Sequence, residues 1–211
     1  MGGGRQVEGW SVPHPDVEFE LLGHPPDAPT LRLDYEQFAY AGKFVLSGTG
    51  KAVVRDPKER AGTTPTDPEF EGGETGLVGA TSFSADRGAA GRVRIRYVTV
   101  RADRRGEGIG PRLLRFTAET LLERFDAVAI AVNNPIAYRA CYRAGFVWTG
   151  EETGIAELLM RYAPDTRPDP ERYRAGFAVF ADRDLPDRHR SVVERHADGV
   201  PPSPVDTPER H

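Results

Sequence analysis

At 211 residues the chain can hold one domain with a sizeable core plus tails. No apolar run approaches the ~18 residues that span a bilayer, and the single cysteine, Cys141, excludes an internal disulfide framework and a multi-cysteine zinc site. A net charge of -4, from 28 basic and 32 acidic residues, gives no global support for nucleic-acid binding.

Residues 1–16 are punctuated by glycine and proline and read as a loose lead-in. They carry no apolar stretch of the secretory type, and Gln6 stands where a myristoylation signal has Ser or Thr, so a cytoplasmic protein is expected. Val17–Leu22 alternates as a first strand, and His24–Pro29 is a rigid loop. Between Thr30 and Phe44 two periods overlap. Leu31, Leu33 and Tyr35 alternate, whereas Tyr35, Phe38, Ala39 and Gly42 follow helical spacing, and the later part is expected to be a helix. Lys51–Arg55 reads as a short strand. Asp56–Gly76 has little apolar content and reads as a long mobile loop. Leu77–Ala85 and the run Val93, Ile95, Tyr97, Val98, Val100 read as strands joined by a short Asp/Gly turn, which favours an antiparallel pair.

Next comes Arg104-Arg105-Gly106-Glu107-Gly108-Ile109-Gly110-Pro111, and then a helical repeat of Leu114, Ala118, Leu121 and Phe125. Glycines on a strand-to-helix turn let backbone N–H groups converge where the helix dipole is positive, an arrangement suited to phosphate. Two familiar phosphate loops fail here. There is no Gly-Lys-Ser/Thr ending, and Gly106, Gly108 and Gly110 do not have Gly-x-Gly-x-x-Gly spacing. What remains is Arg105-x-x-Gly108-x-Gly110. Downstream, Asp126–Val132 reads as a strand, and Asn134-Pro135 caps a helix that Gly145 stops before Phe146. Val147–Gly150 and Glu157–Tyr162 read as strands, Asp169-Pro170-Glu171 as a helix start with Tyr173, Phe177 and Phe180 as its apolar stripe, and Pro186–His196 as a short helix. The Pro-rich end, Asp198–His211, reads as disordered.

Arg105-x-x-Gly108-x-Gly110, followed by Asn134-x-x-Ala137 and Gly145-Phe146, resembles the coenzyme A loop and the following helix of the GNAT superfamily of acyl-CoA N-acyltransferases. The resemblance covers roughly residues 77–162. It implies an α/β fold: a GNAT-like mixed, mostly antiparallel sheet flanked by helices, with a C-terminal helical extension. The expected division is a lead-in over 1–16, an acyltransferase domain over 17–162, a helical extension over 163–197 and a disordered tail over 198–211. The extension reads as a helical pair packed on the domain, ahead of a dimer arm or a lid. Arg92, Arg94, Arg96, Arg101, Arg104 and Arg105 then read as a field for a triply phosphorylated ligand, ahead of a solvated strand face.

The resemblance also implies a direct transfer of an acetyl group from acetyl-CoA, as co-substrate, to the amine of a small molecule or peptide. No metal, nucleic acid or membrane is implied, and a homodimer is compatible with it. Backbone groups near Val98, Thr99 and Val100 would pair with the pantetheine arm, and those of Arg105, Gly106, Glu107, Gly108, Ile109 and Gly110 with the pyrophosphate. Asn134 would lie beside the arm. Pro111 lacks one N–H donor. The family's usual tyrosine proton donor falls at Cys141. Tyr142 is one residue late, about 100° round the helix, and Tyr138 shares Cys141's face, so three residues compete for that role. Arg94, Arg96 and Thr99 stand on the strand that carries a carboxylate base in some members. Glu36, Glu151, Glu157 or a water remain as bases. The alternatives are a coenzyme A-binding module without catalysis, and an anion-binding domain that takes no coenzyme A.

Overall fold

The computed structural model describes residues 16–61 and 76–208. Its seven strands are β1 (Glu18–Gly23), β2 (Gly50–Arg55), β3 (Leu77–Ala85), β4 (Arg92–Val100), β5 (Ala127–Val132), β6 (Val147–Glu152) and β7 (Leu158–Tyr162). They form one sheet in the order β1-β2-β3-β4-β5-β7-β6. Every neighbouring pair is antiparallel except β4 and β5. The helices are α1 (Pro57–Ala61), α2 (Ile109–Leu121), α3 (Pro135–Arg143), α4 (Pro170–Ala178) and α5 (Asp187–Arg195). Among the described residues no helix is long and apolar enough to cross a membrane.

Helix α2 is the crossover between the parallel pair β4 and β5, so it must lie on one face of the sheet. Ile109, Leu113 and Phe116 meet Phe19, Ala52, Val54 and Val78 there. Leu114, Ala118 and Leu121 join Val93, Ile95, Val128 and Ile130 in the larger core. The opposite face of β2 and β3 is covered by Leu31, Phe38, Ala41 and Phe44, which pack on Val53, Leu77 and Ala80.

That cover is not the expected helix. The Asp34 side chain and carbonyl bind the N–H groups of Glu36, Gln37 and Phe38. Tyr40 then takes a left-handed backbone with φ 61°, which no α-helix admits, and a 3-10 turn over Ala41–Lys43 completes the segment. The expected loop after Asp56 opens with the short helix α1; the rest of it, like the lead-in up to residue 15, lies outside the described residues. Helix α2 begins at Ile109, earlier than its apolar repeat indicates, so Pro111 is its third residue.

The C-terminal extension docks on α3. Asp169 accepts the N–H groups of Glu171 and Arg172 and caps α4. Tyr173, Phe177 and Phe180 enclose Tyr138 at ring separations of 5.5, 6.4 and 5.6 Å. Such aromatic pairs add about 0.5–1.5 kcal/mol each beyond area burial. The described part of the expected tail, residues 198–208, makes contacts with α2 and α3. Val205 donates its N–H to the Arg143 carbonyl and accepts from Arg115, and Thr207 bonds Glu119. Gly176 is where α4 presses hardest, because a Cβ there would meet the Tyr138 hydroxyl and the Trp148 ring. Gly176→Ala should therefore cost about 1–3 kcal/mol through overpacking, read as a lower melting temperature in calorimetry.

Candidate functional site

The register of β4 on β3 slips by one residue. Ile95 faces Phe83 and Tyr97 faces Ser82, so Arg96 is an extra residue, a β-bulge. A bulge bends its strand, and on the other side β4 keeps pace with β5 only from Arg92↔Ala127 to Ile95↔Ile130. Strand β5 runs on to Val132 paired only with β7. The edge of β4 from Tyr97 to Val100 is therefore not paired with β5, and a wedge opens between the only two parallel strands of the sheet.

The wide end of the wedge is closed by the glycine loop. Gly106 and Gly108 take φ 93° and 78°, left-handed values at which side chains are strained, and a Cβ at either would meet open space. Gly110 has no such backbone; it lies inside α2, and its Cβ would make ordinary contact with Val100. The N–H groups of Ile109 and Gly110 have no acceptor inside α2, and Pro111 has none to offer. Arg105 reaches back to the Val100 carbonyl at 3.1 Å.

The loop is braced from outside. Arg104 pairs with Asp56, Glu59 and Glu107 at 2.8, 3.4 and 3.0 Å. Arg101 pairs with Glu59 and Asp103 at 2.6 and 2.7 Å. The hydrogen bonds from Arg101 hold the carboxyls of Glu59 and Asp103 below the usual carboxylate range. The Gln37 carbonyl accepts from the Ala102 N–H at 2.9 Å.

This bracing corrects the reading of a single arginine field. Arg101 and Arg104 are committed to carboxylates. Arg92 and Arg94 pair with Asp86 near the start of β4, and Val100 lies six positions further along the strand than Arg94, about 20 Å away. Among the described residues only Arg105, of these six, is at the loop without a carboxylate within 4 Å.

Asn134 begins α3 at the end of β5. Its Oδ1 accepts from Ala137 N–H at 2.9 Å, the cap that its place before Pro135 indicates. The three competing proton donors lie in the core. Cys141 is fully buried, and burial pushes its thiol far up. The Tyr138 hydroxyl donates to the Tyr173 carbonyl at 3.1 Å, and burial pushes it up as well. Tyr142 is also buried, with its ring 4.5 Å from that of Tyr173. Tyr138 and Cys141 are enclosed in this arrangement, whereas the Tyr142 hydroxyl is not enclosed and has no hydrogen-bond partner among the described residues.

Of the bases, Glu36 and Glu151 are exposed, and Glu157 accepts from the Thr153 hydroxyl at 3.3 Å. His14 lies outside the described residues, and among these no cluster of potential metal ligands occurs. Ser82 escaped the sequence reading, and Thr99 was singled out there without its hydroxyl. Ser82 and Thr99 are buried on β3 and β4 with no partner for Oγ and Oγ1 among the described residues. A separate polar cleft of about 300 Å³, lined by Trp148, Thr149, Arg161 and Arg167 among others, includes none of the loop or wedge residues.

The family model described as "Acetyltransferase (GNAT) family" matches residues 32–146, more than half of the chain. Among solved structures, nourseothricin acetyltransferase is similar over 70% of this chain and 98% of its own, at 15% identity and TM-score 0.44. An acetyltransferase from Thermus thermophilus is similar over 55% and 64%, at 14% identity and TM-score 0.41. A mutant AtaT toxin bound to the C-terminus of the antitoxin AtaR is similar over 70% and 93%, at 12% identity and TM-score 0.46. No curated protein matches.

Tyr138→Phe should leave the Tyr173 carbonyl without its donor and cost about 1 kcal/mol of stability. Chemical denaturation measures this directly as a lower midpoint with unchanged slope.

Proposed function

The chain belongs to the GNAT acetyltransferase family, and from that premise we propose that it moves the acetyl group of acetyl-CoA to an amine by direct attack within a ternary complex. The observation that carries this reading is the wedge: an unpaired edge of β4 leading into a glycine loop and a helix N-terminus. The pantetheine arm takes the place of the missing strand partner along Val98, Thr99 and Val100, and the pyrophosphate lies against the N–H groups from Arg105 to Gly110. The Arg105 side chain leaves the Val100 carbonyl when the arm binds. Asn134 lies across the wedge at the end of β5. The domain that does this spans 17–162, with 163–197 as an extension that braces α3, and a cytoplasmic location is part of the same reading.

In the transfer the acceptor nitrogen forms a bond to the thioester carbon and loses a proton, while the carbon–sulfur bond breaks and the sulfur gains one. Backbone N–H groups on β4 stabilise the negative charge on the carbonyl oxygen. A thiolate with a pKa of about 8.5 leaves readily near neutral pH, so water suffices to reprotonate it. That fits a site in which Tyr138 and Cys141 serve as core. A buried thiol held protonated is no nucleophile, which favours direct attack over an acyl-cysteine.

The same burial favours the second reading, a module that binds coenzyme A without turning it over. Calorimetry with coenzyme A, acetyl-CoA and ATP, followed by turnover on a broad amine panel, separates the two: binding with turnover is expected, and binding without it selects the module. Gly108→Ala places a methyl in the open space beside the loop. It should weaken acetyl-CoA binding at least tenfold while costing only about 1 kcal/mol of stability. Unchanged affinity in the folded variant would make the loop a structural turn.

A further inference from the structure

The arginines at the start of β4 have no role in the donor site, yet they stand where the wedge ends. An arm that lies along β4 from Val100 toward Val98, with its phosphates at the loop, directs its thioester end toward Tyr97 and Arg96. The Ile95↔Ile130 pair closes the sheet there. The acceptor amine must reach the same point.

The side chains that border it on the face opposite α2 carry an excess of positive charge. Val93 and Ile95 point into the core under α2, so Arg92, Arg94 and Arg96 share the other face. Arg87 adds a fourth guanidinium from the β3–β4 turn and interacts with Arg96. Asp86 is the one carboxylate within 4 Å of any of the four among the described residues, at 2.7 Å from Arg92 and 3.1 Å from Arg94. Arg96 is exposed and reaches only neutral oxygens, the Ser84 hydroxyl at 2.9 Å and the Ala85 carbonyl at 3.4 Å.

From this arrangement we infer that the arginine cluster of β4 selects an acceptor amine carrying an anionic group, a carboxylate or a phosphate, and disfavours amines whose only charges are positive. The inference rests on the acetyltransfer reading above. Two neutral-acceptor bonds are weaker partners for a guanidinium than a charged oxygen, so Arg96 gains by exchanging Ser84 for an anion. A polycationic acceptor would instead bring like charge against four arginines.

The test is kcat/KM with acetyl-CoA on matched acceptors: peptides with a free N-terminus carrying glutamate, glutamine or lysine next to it, and phosphoethanolamine against ethanolamine. The two series distinguish carboxylate from phosphate. Anionic members should exceed neutral ones by roughly fivefold to twentyfold, a difference that shrinks with added salt. Arg96→Gln should erase most of the preference while leaving acetyl-CoA affinity unchanged, and Arg96→Lys should keep part of it. Turnover with no preference for anionic acceptors, or a preference that survives Arg96→Gln, overturns the inference and leaves acetyltransfer standing. No turnover on any member overturns the acetyltransfer reading and this inference with it.

Discussion

One extra residue in β4 sets the geometry of everything around it. With Arg96 bulged out of the β3–β4 ladder, β4 bends, and its parallel pairing with β5 ends at Ile95 and Ile130. Without the bulge the ladder could gain only Arg96↔Ala131 and Tyr97↔Val132, where β5 ends, so the backbone polar groups of Val98 and Thr99 lie beyond β5 in either case. With it they border a wedge that has the shape an added extended chain takes. The same bend aims the end of β4 at the glycine loop, so an open strand edge and a helix start with free N–H groups become two ends of one groove.

The fold spends considerable packing on holding that groove's walls. On one side α2 is seated by Ile109, Leu113 and Leu114 in the core, and its first turn is thereby fixed relative to β4. Arg101 and Arg104 tie the loop to Asp56 and Glu59, next to and within α1. On the other side α3 is held by α4, through the aromatic cluster about Tyr138, and by the tail at Val205. With that support the Tyr138 hydroxyl and the Cys141 thiol of α3 are both fully buried. In the proposed transfer, solvent is an adequate proton source for a thiolate and would not be for a more basic leaving group.

Much of this was legible from short stretches. Asn134-Pro135 with Gly145, and Asp169-Pro170, mark helix ends because caps and stops act within a few residues. The alternation in β3 and β4 and the loop after β4 were read for the same reason. Features that depend on distant partners were not. The bulge at Arg96 exists only as a register against β3. Tyr138 looked available until Tyr173, some 35 positions later, supplied the carbonyl that holds its hydroxyl. The partners of the Pro-rich end, Arg143 and Arg115, lie far from it in sequence, on α3 and α2. The arginines of β4 and its loop formed one run in the sequence, and the strand's length splits them into two groups with different surroundings.

The account's central claim is that the wedge and the glycine loop together receive coenzyme A. Amide hydrogen exchange with and without saturating coenzyme A tests it most directly, since it reads the backbone groups themselves. The account predicts slowed exchange across Tyr97–Val100 and Gly106–Gly110, and little change on α4 and α5. Protection confined to other parts of the chain, with the amides of β4 and the loop exchanging as fast as in the free protein, would contradict it.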